Sequence, residues 1–261
     1  MLSIRNLEIQ YKQNKPAVWD FSLDVNPGEI VGIVGESGSG KTSVIRGIMG
    51  LLSSGGKIVH GDIILGDKSL KAFSHEEWRK FRGTEISMIF QDSGAMINPI
   101  RRIKSQYIEY IRTHEKISKK AAFTKAVEML EKMQLPNGEN IMNCYSFQLS
   151  GGMRQRVGIA MAMTFQPRIL LADEPTSALD VTTQAQIVKQ MMALRRDFNT
   201  SIIVVTHNLG VAAYMADKIV VMKEGRIVDC GTAEEILHNP CNEYTKELLA
   251  SVPTLDGERY V

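Results

Sequence analysis

The sequence predicts an α/β fold built on a largely parallel sheet, and three observations carry that prediction. Apolar runs of strand length, Ile30–Val34, Arg168–Glu174 and Ser201–Val205, alternate with stretches of helical character. The runs are apolar nearly throughout, as in strands covered on both faces. Each ends in or is followed by polar residues with chemical use: Gly35 to Thr42, Asp173-Glu174, and Thr206-His207; Gln91 likewise follows Ile86–Phe90. In such sheets ligands gather beyond the carboxyl ends of the strands, so these four features should converge on one sheet edge.

Leu2 to Tyr11 alternates apolar and polar residues, as a half-buried strand does, and Trp19–Val25 is a second strand. Asn26-Pro27-Gly28-Glu29 turns into the Ile30–Val34 strand, and Ser43–Leu52 reads as the helix after the glycine-rich loop. Gly55-Gly56 and Gly61-Asp62 punctuate an expected strand pair around Ile58-Val59 and Ile63–Leu65. Ser74-His75-Glu76-Glu77 is a capping box, so a short helix should begin there. Ile103 to Met133 is mainly helical, with an apolar stripe through Ala122, Ala126, Val127, Met129, Leu130 and Met133, and Pro136-Asn137-Gly138 breaks it. This stretch reads as a helical insertion between sheet strands, its methionines filling core gaps. Leu149–Met153 precedes a helix expected over Arg154–Thr164, and Val181–Arg196 is a long helix. Lys218–Met222 and Ile227–Asp229 bracket Glu224-Gly225 as a hairpin, and Thr232–Leu249 is helical around Asn239-Pro240.

Gly35-Glu36-Ser37-Gly38-Ser39-Gly40-Lys41-Thr42 has the spacing G-x-x-x-x-G-K-[ST] between a strand and a helix, which is the context of a phosphate-binding loop. Glycines let the main chain turn its N–H groups toward phosphate oxygens, and the following helix adds the positive end of its dipole. Lys41 is placed to reach β- and γ-phosphates, and Thr42 to ligate Mg²⁺. Asp173 would join the metal's shell; Glu174, projecting differently, would polarise a water for in-line attack. His207 could hold the γ-phosphate and that water in line. Gln91, donor and acceptor at once, suits a water-bridged metal contact. His60, His75, His114 and His238 are structural or surface residues. Tyr11 is open to two readings, core packing or stacking on a purine base, and its position alone favours packing.

Composition sets limits. The 261 residues allow one large or two small domains, and 44% hydrophobic with 23% charged residues is ordinary globular usage that excludes disorder. A net charge of +2 gives no basic surface for nucleic acid and no electrostatic membrane anchor. Cys144, Cys230 and Cys241 form no C-x-x-C pair, so neither a zinc nor a disulfide framework is expected. No apolar run approaches the roughly 18 residues that span a bilayer. Met1–Arg5 starts as an alternating strand rather than a signal peptide, so a cytoplasmic chain is expected.

Together these residues resemble the ATP-binding-cassette (ABC) ATPases over nearly the whole chain. Gly35–Thr42 matches the Walker A loop, Ile169–Glu174 Walker B with its catalytic glutamate, Leu149–Met153 the L-S-G-G-Q signature, Gln91 the Q-loop, Ser177-Ala178-Leu179-Asp180 the D-loop and His207 the switch histidine. The resemblance implies a P-loop NTPase: one ABC cassette over residues 1–261, with a RecA-like core, an antiparallel β subdomain and a helical insertion over about 92–165. It implies ATP and Mg²⁺, with Glu174, His207 and Lys41 catalytic. Nucleotide contacts fall to Gly35, Glu36, Ser37, Gly38, Ser39, Gly40, Lys41, Thr42, Ser43, Gln91 and Asp173, and the metal to Thr42, Gln91 and Asp173. Tyr11 becomes the adenine-stacking aromatic, which overrides its core reading. Ser150, Gly151, Gly152 and Asp180 would serve the nucleotide of a second cassette closed head to tail on this one.

A narrower likeness is to the ATPase subunits of peptide and nickel importers. It is carried by Phe147–Val157, Asp173–Thr182, Gly231–Leu237 and Tyr244–Leu249, with Met153 resembling the first of the two ATPases in these systems. This implies a second, non-identical ATPase subunit, two transmembrane permease subunits, an extracytoplasmic solute-binding protein, no nucleic acid, and a peripheral place on the cytoplasmic face of the membrane. Self-association of the isolated chain is left open. Ser93–Pro99 departs from the family's Pro-Met-x-x-Leu-Asn-Pro, and Asn242-Glu243-Tyr244 from His-Pro-Tyr. The tail to Val261 carries no cysteine-bearing extension, so no iron–sulfur cluster is expected, and its shortness leans toward nickel or metal-chelate systems. Two alternatives stand beside the importer. A soluble ABC ATPase acting on nucleic acid or ribosomes would generally carry two cassettes or a long insertion. An exporter cassette fits the tail and the signature variant less well.

Overall fold

Alternate residues of the central strands face opposite ways, and this divides the apolar interior into two cores. Ile30 and Val34 enter one with Leu170, Ala172, Ile202 and Val204; Val31 and Ile33 enter the other with Ile169, Leu171, Ile203 and Val205. A computed structural model describes residues 1–11, 16–53, 55–91, 96–177 and 179–251, and the backbone of 254–255 and 258–259. Ser93, Gly94, Ala95, Ala178 and Val261, named or spanned above, lie outside the described residues.

The larger sheet holds β3 (Ile30–Val34), β6 (Ile86–Ile89), β7 (Ile169–Asp173), β8 (Ser201–Thr206), β9 (Lys218–Lys223) and β10 (Arg226–Thr232), in the order β10-β9-β3-β8-β7-β6. Every pairing is parallel except the β9–β10 hairpin at the edge. The smaller sheet is antiparallel: β1 (Leu2–Gln10), β2 (Pro16–Val25), β4 (Lys57–Leu65) and β5 (Lys68–Ser69), ordered β2-β1-β4-β5. Helix α1 (Lys41–Ile48) lies between the sheets; its Val44, Ile45 and Ile48 join the apolar side chains of β1 and β2 in the second core. α2 (His75–Phe81) opens with the expected capping box, Ser74 and Glu77 exchanging bonds.

Helices α3 (Ile103–His114), α4 (Lys119–Lys132), α5 (Gly138–Asn143) and α6 (Gly151–Met163) follow β6 and precede β7. The buried Met129 and Met133 lie in the first core, as the stripe predicts. α7 (Val181–Phe198), α8 (Leu209–Met215), α9 (Ala233–His238) and α10 (Glu243–Ala250) complete that face. No helix of the described residues is long and apolar enough to cross a membrane.

Two expectations need correction. Ile58-Val59 and Ile63–Leu65 are not a strand pair but parts of the single strand β4. Gly61, at φ 84°, absorbs an irregularity in the β1–β4 register between Arg5 and Glu8, so the glycine marks a bulge rather than a turn. The helix expected from Arg154 begins at Gly151: Ser150 accepts the Met153 N–H and acts as N-cap, so the glycines belong to the first turn.

Candidate nucleotide site

Strand register brings the site together. Val34 pairs with Thr206, Val205 with Asp173, and Ala172 with Ile89, so the ends of β3, β8, β7 and β6 stand level. One or two residues further on lie Gly35, His207, Glu174 and Gln91. The expected convergence on a single edge is what the sheet produces.

The loop after β3 is held from several sides. Gly35 has φ 154°, and a Cβ there would lie 2.2 Å from the Met222 carbonyl oxygen, so no side chain fits against β9. The Ser39 N–H donates to the Glu36 carbonyl at 3.2 Å, and Gly225 donates to the Ser39 carbonyl at 3.0 Å. Among the described residues, the N–H groups of Ser37, Gly38, Gly40, Lys41, Thr42 and Ser43 donate to no protein acceptor. Consecutive main-chain donors at the start of a helix, left unpaired, form a cradle for an anion.

Lys41 is 4% exposed. Its Nζ donates to the Gly35 and Glu36 carbonyls, each at 2.6 Å, and to Ser39 Oγ at 3.3 Å. Burial lowers the pKa of this ammonium, against the pull of the Glu174, Asp173 and Glu36 carboxylates. Thr42 Oγ1 donates to Asp173 Oδ1 at 3.1 Å. Burial pushes the Asp173 carboxyl above the ordinary range, opposed by the Thr42 bond, Arg46 and Lys41. A buried carboxylate beside a hydroxyl is a hard-oxygen pair, and its burial cost is what a divalent cation would relieve; the residues present therefore fit Mg²⁺.

Glu174 is the pivot. Its backbone is left-handed, with φ 45°, and its N–H donates to the Val205 carbonyl at 2.9 Å. This bend sends its side chain away from Asp173, toward Gln91 and His207. Gln91 Nε2 donates to Glu174 Oε2 at 3.5 Å, and His207 Nδ1 lies 3.3 Å from the same oxygen. Tyr11 is half-buried, its hydroxyl 3.1 Å from Ser43 Oγ, and it packs against the second core. It thus packs on the core and lies beside the helix that starts at the loop.

Ser150, Gly151, Gly152 and Asp180 form a separate cluster. Gly152 abuts Thr183, and Asp180 caps α7 by accepting the Thr183 N–H at 2.9 Å. Ser150, Gly151 and Asp180 are exposed, and no hydrogen bond joins the cluster to the Gly35–Thr42 loop among the described residues.

Two residues in the site's framework had no assigned role at the level of sequence. Gln155, buried on α6, donates from Nε2 to the Pro175 carbonyl at 2.9 Å and ties that helix to the segment after Glu174. Tyr244, on α10, accepts the Glu36 N–H at 3.0 Å across 208 residues of chain. Burial holds its phenol above the usual pKa, so it is neutral at pH 7. No local pattern announces either contact.

A strand–loop–helix anion cradle with acidic and histidine side chains on the adjacent strand ends defines a nucleotide-hydrolysing P-loop cassette. The ABC transporter family profile matches residues 18–177, and the chain belongs to that family. It is accordingly an ATP-binding cassette with ATPase activity. The chain is 45% identical to the oligopeptide transport ATP-binding protein AppD of Bacillus subtilis (strain 168), over 99% of its own length and 80% of the relative's. It is 44% identical to the dipeptide transport ATP-binding protein DppD of Lactococcus lactis subsp. cremoris (strain MG1363), over 98% and 75%. Among solved structures, the ATP-binding cassette MJ0796, as a post-hydrolysis dimer bound to ADP and Pi, is similar with a TM-score of 0.78 at 28% identity, over 89% of this chain and 99% of that one.

Proposed function

We propose that the chain is the ATP-hydrolysing subunit of an ABC importer that takes up small peptides, working at the cytoplasmic face of the membrane without entering it. The observation that carries the site is the hydrogen-bonded group Thr42–Asp173 and Gln91–Glu174–His207 on one sheet edge beside an unpaired row of loop amides. The near-full-length similarity to peptide-transport subunits supports the cargo class, and it favours peptides over the nickel or metal chelates that the tail alone leaned toward.

In this reading the amides of residues 37–43 hold the phosphates, and Lys41 turns from its carbonyl perches to the β- and γ-phosphates. Tyr11 supports the adenine. Thr42 and Asp173, with Gln91 through water, would hold Mg²⁺, which would supply charge neutralisation for the phosphates. Glu174 orients and polarises the attacking water, and His207 donates to the γ-phosphate. Ser150, Gly151, Gly152 and Asp180 stand apart from this loop and complete the pocket of a second, non-identical cassette. ATP binding closes the pair, hydrolysis reopens it, and the helical insertion passes the motion to two permease subunits fed by an extracytoplasmic binding protein.

The test is ATP turnover by the chain assembled with its partner cassette and permease subunits. Peptide-loaded binding protein should accelerate hydrolysis. Thermal shifts of the binding protein with di- and oligopeptides, Ni²⁺ and metal chelates then decide the cargo. Stabilisation by nickel alone would overturn the peptide assignment while leaving the ATPase intact.

A further inference from the structure

The last helix of the described chain reaches back to the nucleotide loop. Tyr244 is in the first turn of α10, 4% exposed, with the Lys223 ammonium 4.5 Å above its ring. The helix start is itself anchored. Asp229 of β10 accepts the N–H groups of Cys241 at 3.0 Å and Asn242 at 3.1 Å through Oδ2, and its own neighbour Cys230 at 3.1 Å through Oδ1. These amides belong to the residues that lead into the helix, and a carboxylate there is favoured by both hydrogen bonding and the helix dipole.

The contact falls on one peptide unit, the bond between Gly35 and Glu36. Its N–H donates to the Tyr244 hydroxyl and its carbonyl accepts from Lys41 Nζ. A trans peptide is planar with N–H and C=O opposed, so fixing one end fixes the other. While Tyr244 holds the N–H outward, the carbonyl faces the loop interior and Lys41. Were that plane to turn over, the carbonyl that positions Lys41 would face the tail helix instead.

We propose that Tyr244 is a positioning residue for nucleotide binding: its hydroxyl locks the Gly35–Glu36 peptide plane, and Asp229 holds in place the helix that carries it. The proposal rests on the assignment of Gly35–Thr42 as the nucleotide site. Because the lock acts on the loop's resting shape and on no reacting atom, it contributes equally to ground-state and transition-state binding.

Tyr244→Phe keeps the ring, its packing and the Lys223 contact, and removes only the hydroxyl. The loss of one hydrogen bond corresponds to a change of about two- to tenfold. The affinity of the full chain for ATP and for ADP should fall by that factor, measured by calorimetry. In the assembled transporter KM for ATP should rise in step, with kcat at saturating ATP held within about twofold. Asp229→Ala should weaken ATP in the same direction, and the double variant should be little worse than the more affected single one, since both act through one strut. Tyr214→Phe, on the exposed face of α8, is the control that should change nothing. Unchanged ATP affinity in Tyr244→Phe overturns the proposal, as does a loss confined to kcat, or log-additive effects in the double variant. Tyr244→Phe alone suffices if Asp229→Ala fails to fold. Absence of ATP affinity in the parent chain, or full affinity in Lys41→Ala, would instead remove the nucleotide-site assignment beneath it.

Discussion

Glu174 occupies a left-handed backbone conformation that costs a non-glycine residue, and it is held there by the Val205 carbonyl. The bend separates two adjacent carboxylates into different tasks, Asp173 toward Thr42 and Glu174 toward Gln91 and His207. Glu174→Gln keeps size and hydrogen bonding but removes the proposed base. It should leave ATP affinity within about twofold of the parent and slow turnover by roughly 10²–10⁴, read by single-turnover hydrolysis in the presence of the partner cassette. Lys41→Ala should weaken ATP by about ten- to a hundredfold, as loss of a charge-assisted contact does, measured by calorimetry. Asp173 makes a prediction with a sign. Its folded pKa lies above the ordinary carboxylate value. The folded chain thus binds that proton more tightly, and stability drawn from it is present at low pH and lost as pH rises through the folded pKa. At neutral pH the ionised carboxylate is a cost. Asp173→Asn should therefore not lower the melting temperature of the nucleotide-free chain at pH 7, and should remove the extra stabilisation that Mg²⁺ adds to ATP. A fall in the nucleotide-free melting temperature would contradict this account.

Among the elements, the junction of β3 with α1 and the pair of helix starts at α6 and α7 matter most. The first has no room for a side chain at Gly35, because the Met222 carbonyl of β9 stands against it. Gly35→Ala must displace backbone rather than a flexible side chain. It should cost more than about 1 kcal/mol in urea unfolding and weaken ATP binding with it. At the second junction Ser150 caps α6 and Asp180 caps α7, with Gly152 against Thr183 between them. Gly151 is exposed, and a Cβ there meets only Leu179, at 3.8 Å. Gly151→Asp should fold and bind its own ATP normally. Under the proposed head-to-tail pairing it should nevertheless halt turnover in the assembled transporter, because the added carboxylate would oppose the γ-phosphate of the partner's nucleotide. Normal ATP hydrolysis by that assembly would refute the head-to-tail arrangement.

At the scale of the whole molecule, three covalently distant regions meet the loop: β9 behind Gly35, β7 beside Thr42, and α10 above Glu36. α6 is tied to the segment after Glu174 through Gln155, so the helices between β6 and β7 have a direct polar link to the end of β7. The fold was legible in sequence because its central strands are short, buried and apolar, which leaves little choice of period. The Gly35 loop, Asp173-Glu174 and His207 were legible because each follows such a strand. β4 reads in sequence as two strands because a glycine looks alike in a bulge and a turn, and only pairing with β1 distinguishes them. The start of α6 is hidden in the sequence because Gly151 and Gly152 have low helix propensity, which the Ser150 cap and packing against Thr183 override.

From the chain alone came the class of fold, the residues that end each strand and the spacing of the phosphate loop, since these depend on local periodicity and neighbouring residues. Register decided that the strand ends stand level, and a left-handed turn decided which carboxylate faces Thr42 and which faces His207. The Tyr244 hydroxyl meets the Glu36 amide only because the tail packs back over the sheet. Sequence proximity cannot encode a hydrogen bond between residues so far apart; the fold creates it by closing the chain upon itself.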